Sequence, residues 1–369
     1  MNYYLISGEA SGDLHGSNLI RALKKLDDKA CFRVWGGDLM REQGATLVKH
    51  YSDLAFMGFW EVLKHLPTVL KNISFCKKDI LDFQPDVIIY IDYPGFNLRI
   101  AEWAKKQGFK NHYYISPQVW AWKENRVRMM KQSLDALYVV LPFEKAFFEE
   151  KHDFKVHFVG HPLLDQLDHF RYDPKFLSSH QLDPNKKIIA LLPGSRLQEI
   201  KKILPLFVQT AASFEEYQFI VGAAPGIATE KYVPYLKNTS IKIVYNQTYN
   251  LLKNSTAALV TSGTATLETA LFDVPQLVCY KSSALNYWIG KKIIRLKYIA
   301  LVNLILNKEV VKELIQHYCN HENLTEQLQL LLTKEKQKQL RKEYTLLKSL
   351  LGGGGASQKT AKLIIQSIR

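Results

Sequence analysis

YYLISGEASGD (residues 3–13) and IIALLPGSRLQE (residues 188–199) share one pattern. Each begins with a short run of apolar residues, continues through a Gly/Ser turn and ends where a helical pattern starts. Strand, turn and helix in this order predict a parallel sheet covered by helices. This strand–turn–helix order stands at the start of both halves of the chain. Because 369 residues are too many for one ordinary hydrophobic core, we predict two such domains.

Short apolar runs alternate with helix-length segments along both halves, as in doubly wound sheets. We therefore predict an α/β protein of two facing Rossmann-like domains, residues 1–165 and 166–345. Residues 346–369 are predicted to form a Gly-rich hinge and a C-terminal helix. This helix would dock on the first domain or, in a homodimer, on a partner subunit. The predicted strands are Tyr3–Ile6, Phe32–Trp35, Val87–Ile91, His112–Ile115, Ala136–Val140, His157–Val159, Ile188–Leu192, Gln218–Val221, Ile241–Val244, Ala258–Val260 and Gln276–Tyr280.

The composition predicts a cytoplasmic protein with an anionic partner. The four cysteines form no CxxC pair, which favours reduced thiols over a zinc site. No apolar run approaches 18 residues, and we expect neither a membrane span nor a signal peptide. The formal net charge of +14 points to nucleic acid, phosphorylated small molecules or an acidic membrane surface, or to a solvated basic surface.

Several motifs that hold cofactors or metals are absent from the sequence. The first turn is spaced GxxxG rather than GxGxxG, and no GK[ST] occurs. HExxH, GxSxG and DxD are also absent, so we expect neither a cofactor nor a metal. Phosphate would then be held by helix N-termini and basic side chains.

Two turns in the second half are candidates for binding a nucleotide. In LLPGSRLQEI (191–200), Gly194 allows close approach of the backbone, Ser195 can cap the following helix, and Arg196 can bind an anion. In VTSGTATLETA (260–270), a similar turn precedes Glu268, whose carboxylate can bind the two hydroxyls of a ribose. Each turn alone also fits an ordinary helix cap. The residues of the second turn are Ser262, Gly263 and Thr264.

Polar and aromatic residues follow two buried strands of the first half. Asp92 ends the strand in IYIDYPGFN (89–97), at the strand tip where ligands bind in parallel sheets, although a helix cap is the alternative. Trp120 and Trp122 follow the next strand, as core residues or as a wall for an apolar ligand. Residues 53–71 are apolar on most faces, which fits a core helix or a segment that enters an anionic membrane surface.

Eight motifs together resemble the lipid-A-disaccharide synthase family, from about residue 3 to 320. One position departs, because Gly95 stands where family members often carry a second aspartate, which leaves Asp92 as the acid/base candidate. The motifs are SGEASGD (7–13), FMGFWEVL (56–63), PDVIIYIDYPGFN (85–97), YYISPQVWAW (113–122), LPFEKAFF (141–148), VGHPLLD (159–165), LPGSR (192–196) and SGTATLE (262–268).

The resemblance implies an inverting, metal-independent glycosyltransferase of the GT-B type. It would join UDP-2,3-diacylglucosamine to 2,3-diacylglucosamine 1-phosphate (lipid X), giving the β-1,6-linked lipid A disaccharide 1-phosphate and UDP. The enzyme would act at the anionic inner membrane as a peripheral cytoplasmic protein. By this interpretation the catalytic candidates are Asp92, Glu9 and Asp13, although Asp13 also fits a helix cap. The substrate-binding candidates are Gly8, Ser11, Gly12, His15, Gln118, Trp120, Gly194, Ser195, Arg196, Ser262, Gly263, Thr264, Glu268 and Asn303, and the membrane-contact candidates are Met57, Phe59, Trp60 and Leu63.

Two other classes of protein fit parts of the sequence. One is a different enzyme on the same scaffold, such as a UDP-sugar 2-epimerase or a transferase with a soluble acceptor. The other is a basic nucleic-acid-binding protein, but no RNP, KH or helix-turn-helix pattern is present. We therefore expect no nucleic-acid partner.

Overall fold

The computed structural model describes residues 1–54, 66–283, 287 and 296–368, and the chain divides into two compact units. Unit 1 comprises Met1–Asp168 and Leu351–Arg369, whereas unit 2 comprises His169–Leu350. The observed divisions fall a few residues after the expected ones at 165 and 345. Each unit contains one parallel sheet, so the predicted α/β class with two doubly wound sheets is confirmed.

The sheet of unit 1 has seven parallel strands in the order β3-β2-β1-β4-β5-β6-β7. The strands are β1 (Asn2–Ile6), β2 (Cys31–Gly36), β3 (Thr46–His50), β4 (Val87–Ile91), β5 (Asn111–Tyr114), β6 (Ala136–Val139) and β7 (His157–Phe158). The helices are α1 (Ala10–Lys24), α2 (Asp38–Glu42), α3 (Leu66–Phe83), α4 (Pro94–Lys106), α5 (Arg126–Ser133), α6 (Pro142–His152) and α7 (Pro162–His169), with a 3₁₀ turn at Tyr51–Asp53.

The sheet of unit 2 has six parallel strands in the order β10-β9-β8-β11-β12-β13. The strands are β8 (Ile188–Leu192), β9 (Gln218–Ala223), β10 (Lys242–Tyr245), β11 (Ser255–Thr261), β12 (Gln276–Tyr280) and β13 (Lys312–Ile315). The helices are α8 (Phe176–Ser179), α9 (Leu197–Ala211), α10 (Val233–Leu236), α11 (Thr248–Lys253), α12 (Thr264–Leu271), α13 (Leu301–Leu306), α14 (His321–Leu331) and α15 (Lys334–Leu350), with 3₁₀ turns at Thr229–Lys231 and Gln316–Tyr318.

The central strands are apolar on both faces because helices cover both sides of each sheet. All five residues of β4 and all five of β8 are buried. The eleven predicted strands are present, whereas the edge strands β3 and β13 were not predicted. Both carry polar residues and are only partly buried, so their sequences lack the apolar run that marks the central strands.

The C-terminal helix returns to unit 1. After four glycines, α16 (Ala356–Ile368) packs against α1. Asp165 fixes its N-terminus, because the Asp165 carboxylate accepts hydrogen bonds from the backbone N–H groups of Gly355, Ala356 and Ser357 at 2.6–3.0 Å. The helix thus buries its apolar face against its own chain.

Among the described residues, no helix is both long enough and apolar enough to cross a bilayer.

Candidate active site

The strand order of each sheet reverses at one point, and the candidate residues gather there. In unit 1 the reversal lies between β1 and β4, and in unit 2 it lies between β8 and β11. Ligands of doubly wound sheets bind outside the carboxyl ends of the strands at such points. The turn after β1 and Asp92 after β4 occupy the first point. The LPGSR and SGTATLE turns, after β8 and β11, occupy the second.

The glycines of the first turn allow close packing inside unit 1. A Cβ atom on Gly8 would lie 2.4 Å from the Tyr93 ring, and one on Gly16 would lie 1.9 Å from the Met40 side chain. Gly12 likewise packs against the end of β1. The GxxxG spacing therefore lets α1 approach the sheet, a role separate from the predicted contact with substrate.

Asp13 caps a neighbouring helix, as the alternative interpretation held. Its buried carboxylate accepts hydrogen bonds from the backbone N–H groups of Gly37 (2.8 Å), Leu39 (3.1 Å) and Met40 (3.1 Å), at the start of α2. These three bonds engage both carboxylate oxygens and hold the side chain at the start of α2. We therefore remove Asp13 from the candidate bases.

Asp92 lies at the tip of β4 in a strained conformation. Its φ of +44° and that of Tyr93, +52°, fall in the left-handed region that side chains disfavour. Desolvation by the surrounding protein atoms, with the nearby charge of Glu9 as the second cause, raises the pKa of Asp92 to about 6. The residue is nevertheless open to solvent, so a ligand can reach it. Glu9, at the start of α1, is also exposed and lies near enough to repel the Asp92 charge.

Two residues without a predicted role hold the backbone at Asp92. The side-chain amide of Asn97 donates to the carbonyl oxygens of Ile6 (3.2 Å) and Asp92 (2.7 Å), which joins the ends of β1 and β4. The Tyr113 hydroxyl donates to the same Asp92 carbonyl oxygen at 2.5 Å. Asn97 closes the motif IDYPGFN, and its position five residues after Asp92 was the only signal in the sequence.

His15 faces a second histidine inside unit 1. Burial lowers the pKa of His15 to about 4, and burial together with the charge of His15 lowers the pKa of His161 to about 3. The His15 Nδ1 atom has no hydrogen-bond partner within the described part of the chain. Both rings are therefore neutral at pH 7, and Ser11 on the same helix is exposed.

The loop after β5 presents Trp122 rather than Trp120 to solvent. The Trp120 indole N–H donates to the buried Glu144 carboxyl at 3.1 Å, and burial raises the pKa of Glu144 to about 7. Trp122 is 41% exposed, and Gln118 is exposed as well. Trp120 therefore contributes to packing, whereas Gln118 and Trp122 are accessible to a ligand.

The LPGSR turn differs from the prediction that a helix N-terminus holds phosphate there, because its backbone N–H groups already have a partner. The N–H groups of Ser195 and Arg196 donate to the Glu199 carboxylate at 3.0 and 3.2 Å. Gly194 has a φ of +109°, and a Cβ atom there would lie 2.4 Å from the same carboxylate. The Arg196 side chain is 62% exposed. A carboxylate of the chain thus occupies the position that we predicted for phosphate, and Arg196 remains accessible.

The SGTATLE turn leaves Gly263 and Thr264 exposed, while the Ser262 hydroxyl donates to the Ile299 carbonyl oxygen at 3.0 Å. Gly263 has a φ of +152°, a value that favours glycine. The Glu268 carboxylate accepts from the Tyr249 hydroxyl at 2.8 Å, and burial raises the pKa of Glu268. Glu268 is therefore held in one orientation close to the turn.

Asn303 does not fit a contact with substrate. It is fully buried, and its side-chain oxygen accepts from the N–H groups of Val310 (2.8 Å) and Val311 (2.9 Å). Its amide donates to the Val311 carbonyl oxygen (2.8 Å) and to the Glu313 carboxylate (2.9 Å). Because these bonds satisfy the whole side chain, Asn303 is a structural residue.

Two further predictions concern the membrane contacts and the absence of a metal ion. The membrane-contact candidates Met57, Phe59, Trp60 and Leu63 lie outside the described residues. Within the described ranges, no group of three His, Cys, Asp or Glu side chains is arranged to hold a metal ion.

The chain is similar to known proteins along its whole length. A family model described as lipid-A-disaccharide synthetase matches residues 3–367. The lipid-A-disaccharide synthase of Trichlorobacter lovleyi is 35% identical over 371 residues, covering 99% of this chain and 97% of that protein. The lipid-A-disaccharide synthase of Coxiella burnetii is 37% identical over 365 residues, covering 98% and 96%.

Solved structures share the fold at low sequence identity. A UDP-GlcNAc 2-epimerase from Neisseria meningitidis, bound to UDP-GlcNAc, aligns with a TM-score of 0.68 and 13% identity over 100% of this chain and 99% of that one. The glycosyltransferase of kitacinnamycin aligns with a TM-score of 0.63 and 14% identity over 100% and 99%. Transferases and epimerases thus share this two-sheet architecture.

Proposed function

The chain belongs to the lipid-A-disaccharide synthase family and is a glycosyltransferase of lipid A synthesis, and we propose that it joins UDP-2,3-diacylglucosamine to 2,3-diacylglucosamine 1-phosphate. The products are the β-1,6-linked lipid A disaccharide 1-phosphate and UDP. In the structure, one observation carries the proposal: Asp92, a carboxyl group with a raised pKa, lies open at the tip of β4 beside the reversal of strand order.

Asp92 acts as the general base in this proposal. The acceptor 6-hydroxyl attacks the anomeric carbon of the donor from the face opposite UDP, a new C–O bond forms, and the proton passes to the Asp92 carboxylate. The anomeric C–O bond to the diphosphate breaks, and its electron pair leaves with UDP. A pKa of about 6 keeps Asp92 ionised at pH 7 and makes it a stronger base than an ordinary aspartate. The bonds from Asn97 and Tyr113 fix the backbone from which this carboxylate projects.

Unit 2 binds the donor in this proposal. The diphosphate contacts Arg196 and displaces the Glu199 carboxylate from the N–H groups of Ser195 and Arg196, because two anions cannot share those donors. Exposed Gly263 and Thr264 line the second turn, and the Glu268 carboxylate accepts hydrogen bonds from the ribose hydroxyls. Neutralisation of the leaving diphosphate by these groups requires no metal ion.

Association with an anionic membrane surface is supported by one face of α3. Leu70 is 53% exposed and Phe75 is 48% exposed, and the same face carries the exposed lysines Lys71 and Lys78. Apolar side chains interleaved with lysines are typical of helices that lie in an acidic membrane interface. We expect Leu70→Ser with Phe75→Ser to weaken flotation with anionic vesicles several-fold.

The control for this experiment is a pair of equally exposed leucines in unit 2, Leu330→Ser with Leu346→Ser. The control pair should float like the wild type, and both variants should keep the wild-type melting temperature. Equal loss of flotation in the two pairs, or none in the α3 pair, would contradict a specific role for α3.

The enzymatic proposal is tested by measuring UDP release from the purified protein. We expect release only when both acylated substrates are present, with a disaccharide 1-phosphate as the second product in mass spectrometry. UDP release from the donor alone at the same rate would contradict the transfer. Interconversion of UDP-GlcNAc epimers would indicate instead the chemistry named for one of the solved structures.

A further inference from the structure

Two cations gather around the exposed Trp122 ring in the loop between β5 and α5. The Lys123 ammonium lies 4.3 Å from the centroid of the ring, and the Arg126 guanidinium carbon lies 5.9 Å from it. Cations at these distances are attracted to the face of an indole. We call these three residues the cationic patch.

The two positive charges of the patch lack a carboxylate partner within the described residues. The adjacent carboxylate, Glu124, already binds Lys151 at 2.7 Å and His152 at 2.9 Å. Burial and the positive charge of Arg126 lower the pKa of Lys123, so the two cations repel each other. An anion placed between them would remove that repulsion.

The backbone around the patch is held in strained conformations. Lys123 has a φ of +56°, and Ile115, which leaves β5, has a φ of +66°. A left-handed conformation is a genuine outlier for a β-branched residue such as isoleucine. Asp92 and Tyr93 on the neighbouring strand tip are left-handed too. Such strain persists where the fold must hold side chains in fixed positions, and it concentrates at ligand sites.

The patch and the proposed base lie within electrostatic reach of the same hydroxyl group. The Tyr113 hydroxyl donates to the Asp92 carbonyl oxygen at 2.5 Å. After burial, the negative charge of Asp92 raises the pKa of Tyr113 while the positive charge of Arg126 lowers it. The backbone geometry agrees, because β4 and β5 are neighbouring strands and the Asp92 N–H donates to the Tyr114 carbonyl oxygen at 3.3 Å. Asp92 and the loop that carries the patch therefore follow adjacent strand tips.

We propose that the cationic patch binds the phosphate monoester of the acceptor sugar, with the Arg126 fork and the Lys123 ammonium on the phosphate oxygens and the Trp122 face against the ring or its acyl chains. This assignment rests on the proposed function, in which the acceptor carries an anomeric phosphate. The patch thereby selects a phosphorylated acceptor and orients its free hydroxyl toward Asp92. Guanidinium and ammonium groups are the side chains that recognise phosphate.

The test compares two acceptors, 2,3-diacylglucosamine 1-phosphate and the same sugar without phosphate. Lys123→Gln with Arg126→Gln should raise KM for the phosphorylated acceptor about 10- to 100-fold, the scale of lost charged hydrogen bonds. KM for the donor and kcat/KM for the dephosphorylated acceptor should stay at wild-type values. Arg128, an exposed arginine of α5, provides the matched control. Arg128→Gln should leave KM for both acceptors unchanged.

Two results would overturn the assignment. One is an equal loss of kcat/KM on both acceptors in the double variant. The other is an unchanged KM for the phosphorylated acceptor together with a loss of binding to anionic vesicles, which would assign the patch to membrane headgroups. If the wild type transfers to neither acceptor, the proposed function fails, but the patch is still tested by titrating glucosamine 1-phosphate in calorimetry. Binding to the wild type and to Arg128→Gln, but not to the double variant, would then support it, and equal binding by all three would refute it.

Discussion

The candidate turns at the carboxyl edges of the two sheets hold their polar residues in different ways. At the edge of unit 1, left-handed φ values fall on Asp92, Tyr93 and Ile115, none of which is glycine. In unit 2 the left-handed positions of the two candidate turns are Gly194 and Gly263, which carry no such strain. Left-handed non-glycine residues follow only the outer strands β10 and β13 of that sheet, at Asn246 and Gln316. The first edge therefore fixes one carboxylate despite backbone strain and desolvation, whereas the second exposes an unstrained turn that a ligand can enter. A base must be fixed in place, whereas a phosphate needs donors that it can reach once Glu199 has left them.

The largest effect should follow from removing the fixed carboxylate of the first edge. Asp92→Asn keeps the shape of the side chain but cannot accept the proton, so kcat should fall by roughly 10²–10⁴, which corresponds to about 3–5.5 kcal/mol. In the wild type, kcat/KM should fall as the pH drops through about 6, because Asp92 becomes protonated. That acid limb should be absent from the residual activity of the variant.

Asp86→Asn, at the opposite end of the same strand, makes the same chemical change and should leave kcat unchanged. Turnover of Asp92→Asn within a few-fold of the wild type would exclude Asp92 as the base and make Glu9 the next candidate. It would also erase the functional difference between the two edges.

The stability of the same variant separates a catalytic role from a structural one. A raised carboxyl pKa means that the folded state binds the proton more tightly than the unfolded chain. Ionised Asp92 therefore lowers stability as the pH rises from its usual pKa of 3.8 to about 6. We expect the melting temperature of Asp92→Asn at pH 8 to equal or exceed that of the wild type. A lower melting temperature in calorimetry would identify Asp92 as a structural residue.

A smaller effect should follow at the second edge, where several groups share the phosphate charge. Arg196→Ala should cost about 1.5–3 kcal/mol of transition-state stabilisation, the scale of one charged hydrogen bond, or roughly 10- to 150-fold in kcat/KM. Folding should be unaffected because the side chain is 62% exposed. Lys201→Ala, an exposed cation on the helix that follows Arg196, is the control and should retain full activity. Equal kinetics for both variants would show that Arg196 is an ordinary surface residue.

The sequence predicted the central strands and the strand tips because buried parallel strands are apolar on both faces. Val87–Ile91 and Ile188–Leu192 were predicted to the residue for this reason. The edge strands Thr46–His50 and Lys312–Ile315 escaped prediction, since a strand with one partner and a partly solvated surface needs no continuous apolar run.

The partners of polar side chains were much harder to predict than the strands. Asp13 and Asn303 carry the atoms that bind a sugar, yet in the fold both bind backbone groups. The partners of Asp13 lie at least 24 residues away, and those of Asn303 lie in the segment after its own helix, seven and eight residues away. Glu199 lies only four residues after Ser195, whose N–H group donates to it. This bond could not be predicted because the same local sequence fits both a capping carboxylate and a free phosphate site. Asn97 and Tyr113 act through the carbonyl oxygen of Asp92, and a sequence does not show which side chain reaches a carbonyl group.

The smallest expected effect is that of removing divalent metal ions. In the proposal, Arg196 and the N–H groups of Ser195 and Arg196 neutralise the leaving diphosphate. Glu199 binds those N–H groups when no ligand is present. The protein alone then balances the charge of the diphosphate. Turnover after gel filtration into excess EDTA should then stay within about two-fold of the untreated rate, and Mg²⁺ should not rescue Arg196→Ala. Activity lost in EDTA and restored by Mg²⁺ or Mn²⁺ would assign the diphosphate charge to a bound metal. The exposed turns of unit 2 would then hold that metal rather than the phosphate itself, and the contrast between a fixed base and a receptive phosphate site would no longer describe the two edges.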